Sequence, residues 1–324
     1  MYQIKELHNL ISKEFESKKI GREPYSLYDP INYTLANGGK RIRPILTLMA
    51  CNIFSKDIEP AINAALAIEI FHNFTLLHDD IMDKADIRRG KPTVHKKWNE
   101  NTAILSGDAM FIKSYDFLIE TDTSRLKEIL QVFNNTAIEV CEGQQYDMEF
   151  ETKTNVSEKE YLRMIELKTS VLLAAALKTG ALIGGANDSD AELLYDFGRH
   201  IGLAFQLQDD LLDVYGNTKT FGKEIGGDIV SNKKTFLLIK AKELAQKEDR
   251  IILEQLMNNK NISREDKIKS VTKIYNGLRI KELAERKISD YYQKAIKQLE
   301  KVGVAAEKKQ ELLKLTTSLL NRNY

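Results

Sequence analysis

The sequence predicts an all-α protein, and three observations lead there. All five prolines (Pro24, Pro30, Pro44, Pro60 and Pro92) fall in the first third of the 324 residues. Proline breaks helix interiors, so the long stretch after Pro92 is open to long helices. Apolar residues recur at helical spacing, as in Ile62, Ala65, Leu66 and Ile68, or Leu237, Leu238, Ala241 and Leu244. Alternating patterns bounded by turn residues, the mark of strands, are scarce.

Along the chain, the opening MYQIKELHNLISKEFESKK mixes acids and bases without an apolar run, so it does not read as a signal peptide. Gly38-Gly39 marks a break before KRIRP. The helical pattern from Ile62 continues into LLHDDIMD, which ends at Asp83, and Gly90 and Gly107 mark further breaks. The most apolar segment, VLLAAALKTGALIGGA at 171–186, is interrupted by Lys178 and Gly180. It reads as a buried helix rather than a bilayer span. QLQDDLLD follows, ending at Asp213, and then a glycine-dense stretch from Gly216 to Gly227. From about Arg264 the chain is Lys/Glu-rich and amphipathic, the pattern of a solvated helix face. Nothing resembles a Pro/Ser-rich linker, so a single domain over 1–324 is expected.

Composition narrows the function. Hydrophobic residues make up 43% and charged residues 29%, the balance of a soluble globular chain with a sizeable core. The formal net charge of +1 gives no global field for nucleic acid or an anionic membrane. Cys51 and Cys141 lack the spacing of a zinc or redox site and fit a reducing, cytoplasmic setting.

Two segments share the form L-x-D-D-x-x-D: LLHDDIMD and QLQDDLLD. On a helix, positions i and i+4 share a face, so Asp79 projects with Asp83 and Asp209 with Asp213. Asp80 and Asp210 lie about 100° around the helix and can support from behind or complete the chelate. Like charges at this spacing repel, so a cation belongs between them. The donors are oxygen-only, which favours a hard ion such as Mg²⁺ sharing its shell with phosphate and water. A single DDxxD is equally compatible with an acidic face in water; two, each embedded in Leu/Ile-rich sequence, argue for a site.

Phosphate also needs cations. GGKRIRP supplies Lys40, Arg41 and Arg43; Arg88 and Arg89 follow the first acidic motif; Lys168-Thr169 lies on a helix; and GKEIGGDIVSNKKT supplies Lys223, Lys233 and Lys234. This is not a Walker A loop, which needs GxxxxGK[ST] in that order.

The ordered set GGKRIRP, HNFTLLHDDIMDKADIRRG, GQQYD, LKTS, FQLQDDLLD and GKEIGGDIVSNKKT resembles the trans-isoprenyl diphosphate synthases, the polyprenyl synthetase family, over roughly residues 35 to 240. The resemblance implies long helices around a deep central cavity and a homodimer. It implies about three Mg²⁺ ions, bound by Asp79, Asp83 and Asp209 with Asp80, Asp210 and Asp213 completing the motifs. Asp228 would contact a metal-bound water, and Asp147 has a similar supporting role. Lys40, Arg43, His72 and Arg89 match positions that hold isopentenyl diphosphate. Arg88, Lys168, Thr169, Gln206, Lys223 and Lys233 match those around the allylic diphosphate. His78 is expected to make a structural hydrogen bond.

The implied reaction is head-to-tail elongation: an allylic diphosphate ionises, isopentenyl diphosphate attacks the carbocation, and proton loss leaves a chain five carbons longer. No protein base is assigned, because the family reading gives that proton to released diphosphate. Phe74 stands five residues before Asp79, about 7 Å along a helix, where a bulky residue limits elongation in this family. Phe71 adds a second barrier, and Phe74 with the small Thr75 resembles geranylgeranyl-type synthases. A C20 product is expected first and C15 second. A terpene cyclase would carry an (N/D)DxxSxxxE second motif in place of DDLLD, and a non-catalytic subunit would tend to lose aspartates; neither departure occurs.

Overall fold

The computed structural model describes residues 1–216, 225–259 and 261–320. The fold is all-α. The elements are α1 (Ile4–Ser17), α2 (Tyr25–Ala36), α3 (Ile42–Phe54), α4 (Ile62–Met82), α5 (Val94–Lys97), α6 (Glu100–Ile119), α7 (Leu126–Thr152) and α8 (Glu158–Ile165). After a π-helical turn at Glu166–Ser170 come α9 (Val171–Ile183), α10 (Asp188–Tyr215), α11 (Gly227–Val230), α12 (Phe236–Leu244), α13 (Lys247–Asn258), α14 (Arg264–Gly277), α15 (Ile280–Lys301) and α16 (Gln310–Leu320). The strands among the described residues are β1 (Ile87–Arg88) and β2 (Lys91–Pro92), a two-stranded antiparallel ribbon.

The proline rule holds where it matters most, since α7 and α10 run 27 and 28 residues after the last proline. Two early prolines nevertheless lie within helices. Pro44 is in the first turn of α3, where an amide N–H has no helical partner. Pro30 lies deeper in α2, at the cost of one backbone bond. Side chains cap some of the helix starts: Asn99 Oδ1 accepts from Thr102 N at 2.8 Å at α6, and Ser157 forms a capping box with Glu160 at α8.

The chain divides into two compact units. Unit 1 comprises Met1–Asn134, Ala175–Tyr195 and Val302–Leu312; unit 2 comprises Asn135–Ala174, Asp196–Lys301 and Leu313–Tyr324. In unit 1, α4 is the buried spine, with Ala64 to Phe71 almost free of solvent contact. Gly107 lets α6 lie close against it, because a Cβ there would stand 2.2 Å from His78 Nε2. In unit 2 a separate core gathers Tyr161, Leu207, Leu211, Leu237, Ile274 and Tyr275.

Among the described residues, one helical stretch, Glu59–Met82, is long and apolar enough to cross a membrane by length and composition. Of its most apolar window, 61% is buried inside the protein, and it ends in the aspartates of the first motif, so it serves here as a core helix.

Candidate active site

Unit 1 holds the first acidic motif at the C-terminal end of α4. The helix ends in a Schellman arrangement: Lys84 adopts a left-handed backbone (φ 52°), its N–H reaches Ile81 O at 3.2 Å, and Ala85 N–H reaches Asp80 O at 2.9 Å. That termination leaves Asp83 as the exposed cap residue, Asp79 half-buried one turn earlier, and Asp80 buried. Arg88 on β1 closes over the pair: its Nε donates to Asp80 Oδ1 at 2.7 Å and its Nη2 to Asp79 Oδ2 at 3.3 Å. Burial raises the Asp80 pKa against the opposing pull of Arg88.

The next two residues turn the ribbon. Arg89 and Gly90 both have positive φ (52° and 74°), the two-residue hairpin geometry that matches strand twist. This turn carries the Arg89 guanidinium onto the carbonyl of Gly38. Gly39 permits the approach, since a Cβ there would meet the guanidinium carbon at 2.9 Å. The cations of GGKRIRP and RRG therefore come together, although they lie far apart in the chain.

Arg43 Nη1 lies 3.0 Å from His72 Nε2, and because arginine only donates, the histidine accepts. Burial holds the His72 pKa well below its usual value, with Arg43 and Arg89 adding to the effect, so the ring is neutral. Burial also lowers Arg43 to about 10, and its Nε is buried without a hydrogen-bond partner. A buried cationic donor left unpaired is costly unless an acceptor arrives. Lys40 is exposed on the same loop.

One turn below the acids, Thr75 Oγ1 bonds to the His72 carbonyl at 2.8 Å. Phe74 packs against His78 (4.8 Å), Phe71 (5.6 Å) and Phe111 (5.2 Å, ring centroids). His78 Nε2 sits 3.2 Å from Ile104 O, a structural contact with α6.

Unit 2 holds the second motif on α10. Asp210 is buried and accepts from Tyr161 Oη and, at 3.1 Å, from Gln206 Nε2. Burial, with Asp228 adding to it, pushes its carboxyl up to about 7. Asp209 and Asp213 are half-buried, and Asp213 Oδ2 accepts from Asp228 N at 3.0 Å. Gln206 Oε1 also accepts from Thr169 Oγ1 at 3.3 Å, so one chain of bonds runs Tyr161, Asp210, Gln206, Thr169.

Lys168 and Thr169 ride on the π-helical turn, a distortion frequent at functional sites. Two glycines leave room for it: a Cβ at Gly143 would lie 2.3 Å from Lys168 N, and one at Gly202 would lie 2.5 Å from Ser170 Cα. Lys168 Nζ pairs with Asp147 Oδ2 at 2.6 Å. Burial alone would raise Asp147, but Lys233 and Lys168 outweigh it and hold the carboxyl below its usual value. Lys233 is exposed; Lys223 lies outside the described residues.

The donor chemistry suits Mg²⁺. Asp79, Asp83, Asp209 and Asp213 offer oxygens at partly open positions, while Asp80 and Asp210 are buried on protein partners. Among the described residues, no three His, Cys, Asp or Glu side chains form a ready-made cage. An ion that keeps several water and phosphate ligands needs none.

Sequence reasoning missed Tyr161, Glu69, Asn73 and Phe111. Nothing marked them locally, because each matters through a contact with a residue remote in the chain or buried beneath the loop.

Comparisons with known proteins place the chain in a family. The family model for polyprenyl synthetases matches residues 24–275. A geranylgeranyl diphosphate synthase of Methanosarcina mazei is 46% identical over 228 residues, 70% of each chain. One from Sulfolobus acidocaldarius is 38% identical over 304 residues, 92% of this chain and 91% of that one. A crystal structure of a geranylgeranyl pyrophosphate synthase, 45% identical, superposes with a TM-score of 0.95 over 100% of both chains.

Proposed function

The chain belongs to the polyprenyl synthetase family, and from that premise we propose that it condenses isopentenyl diphosphate with an allylic diphosphate to make geranylgeranyl diphosphate. It is a trans-prenyltransferase; prenyl synthases use these two substrate classes and are generally Mg²⁺-dependent. The observation that carries the reading is the cationic gathering in unit 1. Arg43, with an unpartnered buried Nε, neutral His72 and Arg89 meet beside carboxylates already bridged by Arg88.

In this reading Lys40, Arg43, His72 and Arg89 hold the diphosphate of isopentenyl diphosphate, which fills the acceptor vacancy at Arg43. Arg88, Lys168, Thr169, Gln206, Lys223 and Lys233 hold the allylic diphosphate. Asp79, Asp83 and Asp209 ligate about three Mg²⁺ ions, with Asp80, Asp210, Asp213 and Asp228 supporting. Held by these carboxylates, Mg²⁺ would supply neutralisation of the charge that develops on the leaving diphosphate. Arg88 and Lys168 exchange their carboxylate partners for leaving-group oxygens, and apolar walls keep water from the cation. Thr75, Phe74 and Phe71 set how far the growing chain extends, which favours C20.

The enzyme works in the cytoplasm as a homodimer. Exposed Ile104, Leu105, Ile112 and Ile119 on α6 offer a second copy an apolar face.

The test incubates the purified protein and Mg²⁺ with labelled isopentenyl diphosphate and, in turn, dimethylallyl, geranyl and farnesyl diphosphates, then sizes the dephosphorylated products. A dominant C20 alcohol is expected. No elongation with any primer would refute the reading, and a dominant C15 or C25 alcohol would refute the chain length.

A further inference from the structure

Beneath the GGKRIRP loop lies a charge pair that the reaction does not use. Glu69 on α4 is 2% exposed, and its Oε1 accepts from Arg41 Nη1 at 2.8 Å. Asn73, one turn along and 1% exposed, donates to the same oxygen at 3.2 Å and to the Glu69 carbonyl at 2.8 Å. Arg41 is itself 7% exposed; its other guanidinium nitrogen donates to Leu35 O, and its carbon stacks 4.6 Å from the Phe15 ring centroid. With both terminal nitrogens bonded inward, one face against Phe15 and little exposure, Arg41 is turned away from the substrate side.

Its backbone is unusual. Arg41 precedes the first turn of α3 in a left-handed conformation (φ 48°), which glycine adopts freely and most L-residues avoid. Such strain persists only where surroundings over-determine it, and it clusters at functional sites. Lys40 directly precedes this fixed point, and Arg43 follows it by two residues in the first turn of α3. The helix to which it is tied carries His72, the hydrogen-bond partner of Arg43. Asn73 also lines a small cavity shared with Arg88 and Arg89.

We infer that Arg41, Glu69 and Asn73 are positioning residues that hold Lys40 and Arg43 in register with His72 for the diphosphate of isopentenyl diphosphate. This rests on the proposed function. The network clamps the loop to α4 through a buried anion, so the diphosphate-binding cations are set before substrate arrives. Such preorganisation removes ordering costs from the binding step.

The test uses the full chain carrying Glu69→Gln, and the pair Arg41→Asn with Glu69→Gln. Steady-state kinetics with each substrate varied, calorimetric titration of isopentenyl diphosphate without primer, and Tm are measured. Glu69→Gln strands a buried guanidinium, so the loop should be displaced. KM and Kd for isopentenyl diphosphate should rise about tenfold, with kcat and the allylic KM within about threefold. In the pair no buried charge is unmatched and Asn tolerates the left-handed backbone, so Tm should recover while the KM stays high.

If KM for isopentenyl diphosphate is unchanged in Glu69→Gln, or recovers together with Tm in the pair, the network is only structural and the inference falls. A lowered KM would also overturn it, showing that Glu69 merely damps the cationic field. Should Glu69→Gln fail to fold, the pair alone decides by the same criterion. A wild-type protein unable to elongate would overturn the functional reading and this inference with it; a competent wild type with an unshifted variant overturns this inference alone.

Discussion

Phe74 on α4 stacks on Phe111 of α6, with ring centroids 5.2 Å apart and planes 28° from parallel. Behind this pair, Phe71 meets Phe133 at 5.2 Å and Tyr115 meets Phe133 at 5.0 Å, so a second aromatic layer follows the first. Removing one ring opens about one isoprene unit of space while Phe111 still stands opposite. Phe74→Ala should therefore shift the main product from C20 to C25. Adding Phe111→Ala should lengthen it further. Chromatography of dephosphorylated products reads both, and unchanged lengths would remove Phe74 as the limit.

The half-exposed acids are expected to matter more than their overall charge suggests. Asp79→Asn and Asp209→Asn keep side-chain shape but weaken metal ligation. Each should lower kcat by at least about a hundredfold, the scale of losing a main electrostatic contact at a reacting centre. Helical circular dichroism should be unchanged, because neither residue is a core residue. Excess chelator should abolish wild-type turnover; full activity in chelator, or near-normal kcat in either variant, would reject the two-motif reading.

The legibility of this site follows a physical divide. The acidic motifs were readable because helical spacing alone puts Asp79 with Asp83 and Asp209 with Asp213. The absence of proline after Pro92 likewise announced α7 and α10. Other features depended on contacts that spacing cannot encode. Tyr161 is an ordinary amphipathic-helix residue until α10 places Asp210 against its hydroxyl. Glu69 sits in an apolar run, and its partner Arg41 reads as one more basic residue of the loop. The left-handed turn at Arg89-Gly90 was visible only as a glycine break, yet it turns the guanidinium onto the GGKRIRP loop. The π-helical turn at Lys168 also left no pattern, because it depends on a close approach to Gly143 and Gly202 that spacing does not encode.

That close packing predicts a strong effect from one methyl group. In Gly143→Ala the new carbon would stand 2.3 Å from Lys168 N, a backbone atom that cannot swing aside. Either α7 or the π-helical turn must move, carrying Lys168 away from Asp147 and Thr169 away from Gln206. Overpacking of this kind costs about 1–3 kcal/mol. The allylic KM should rise more than that for isopentenyl diphosphate, whose proposed contacts lie in unit 1. Equal rises in the two KM values would contradict the assignment of Lys168 and Thr169 to the allylic diphosphate.

His72 predicts a specific pH dependence of stability. Burial first, then Arg43, Arg89 and Arg88, keep its pKa well below the usual value, so the folded ring stays neutral where an unfolded chain's histidine is charged. Below about pH 6.5 the unfolded state thus binds one more proton than the folded state. Stability from this group is complete above that pH and is lost as pH falls toward the depressed folded pKa, with a slope of at most about 1.4 kcal/mol per unit. Glutamine keeps an acceptor for the Arg43 guanidinium but cannot titrate. His72→Gln should therefore flatten the dependence between about pH 5 and 6.5 relative to wild type. Urea unfolding at a series of pH values measures it, and parallel curves for the two proteins would show that His72 is protonated in the fold.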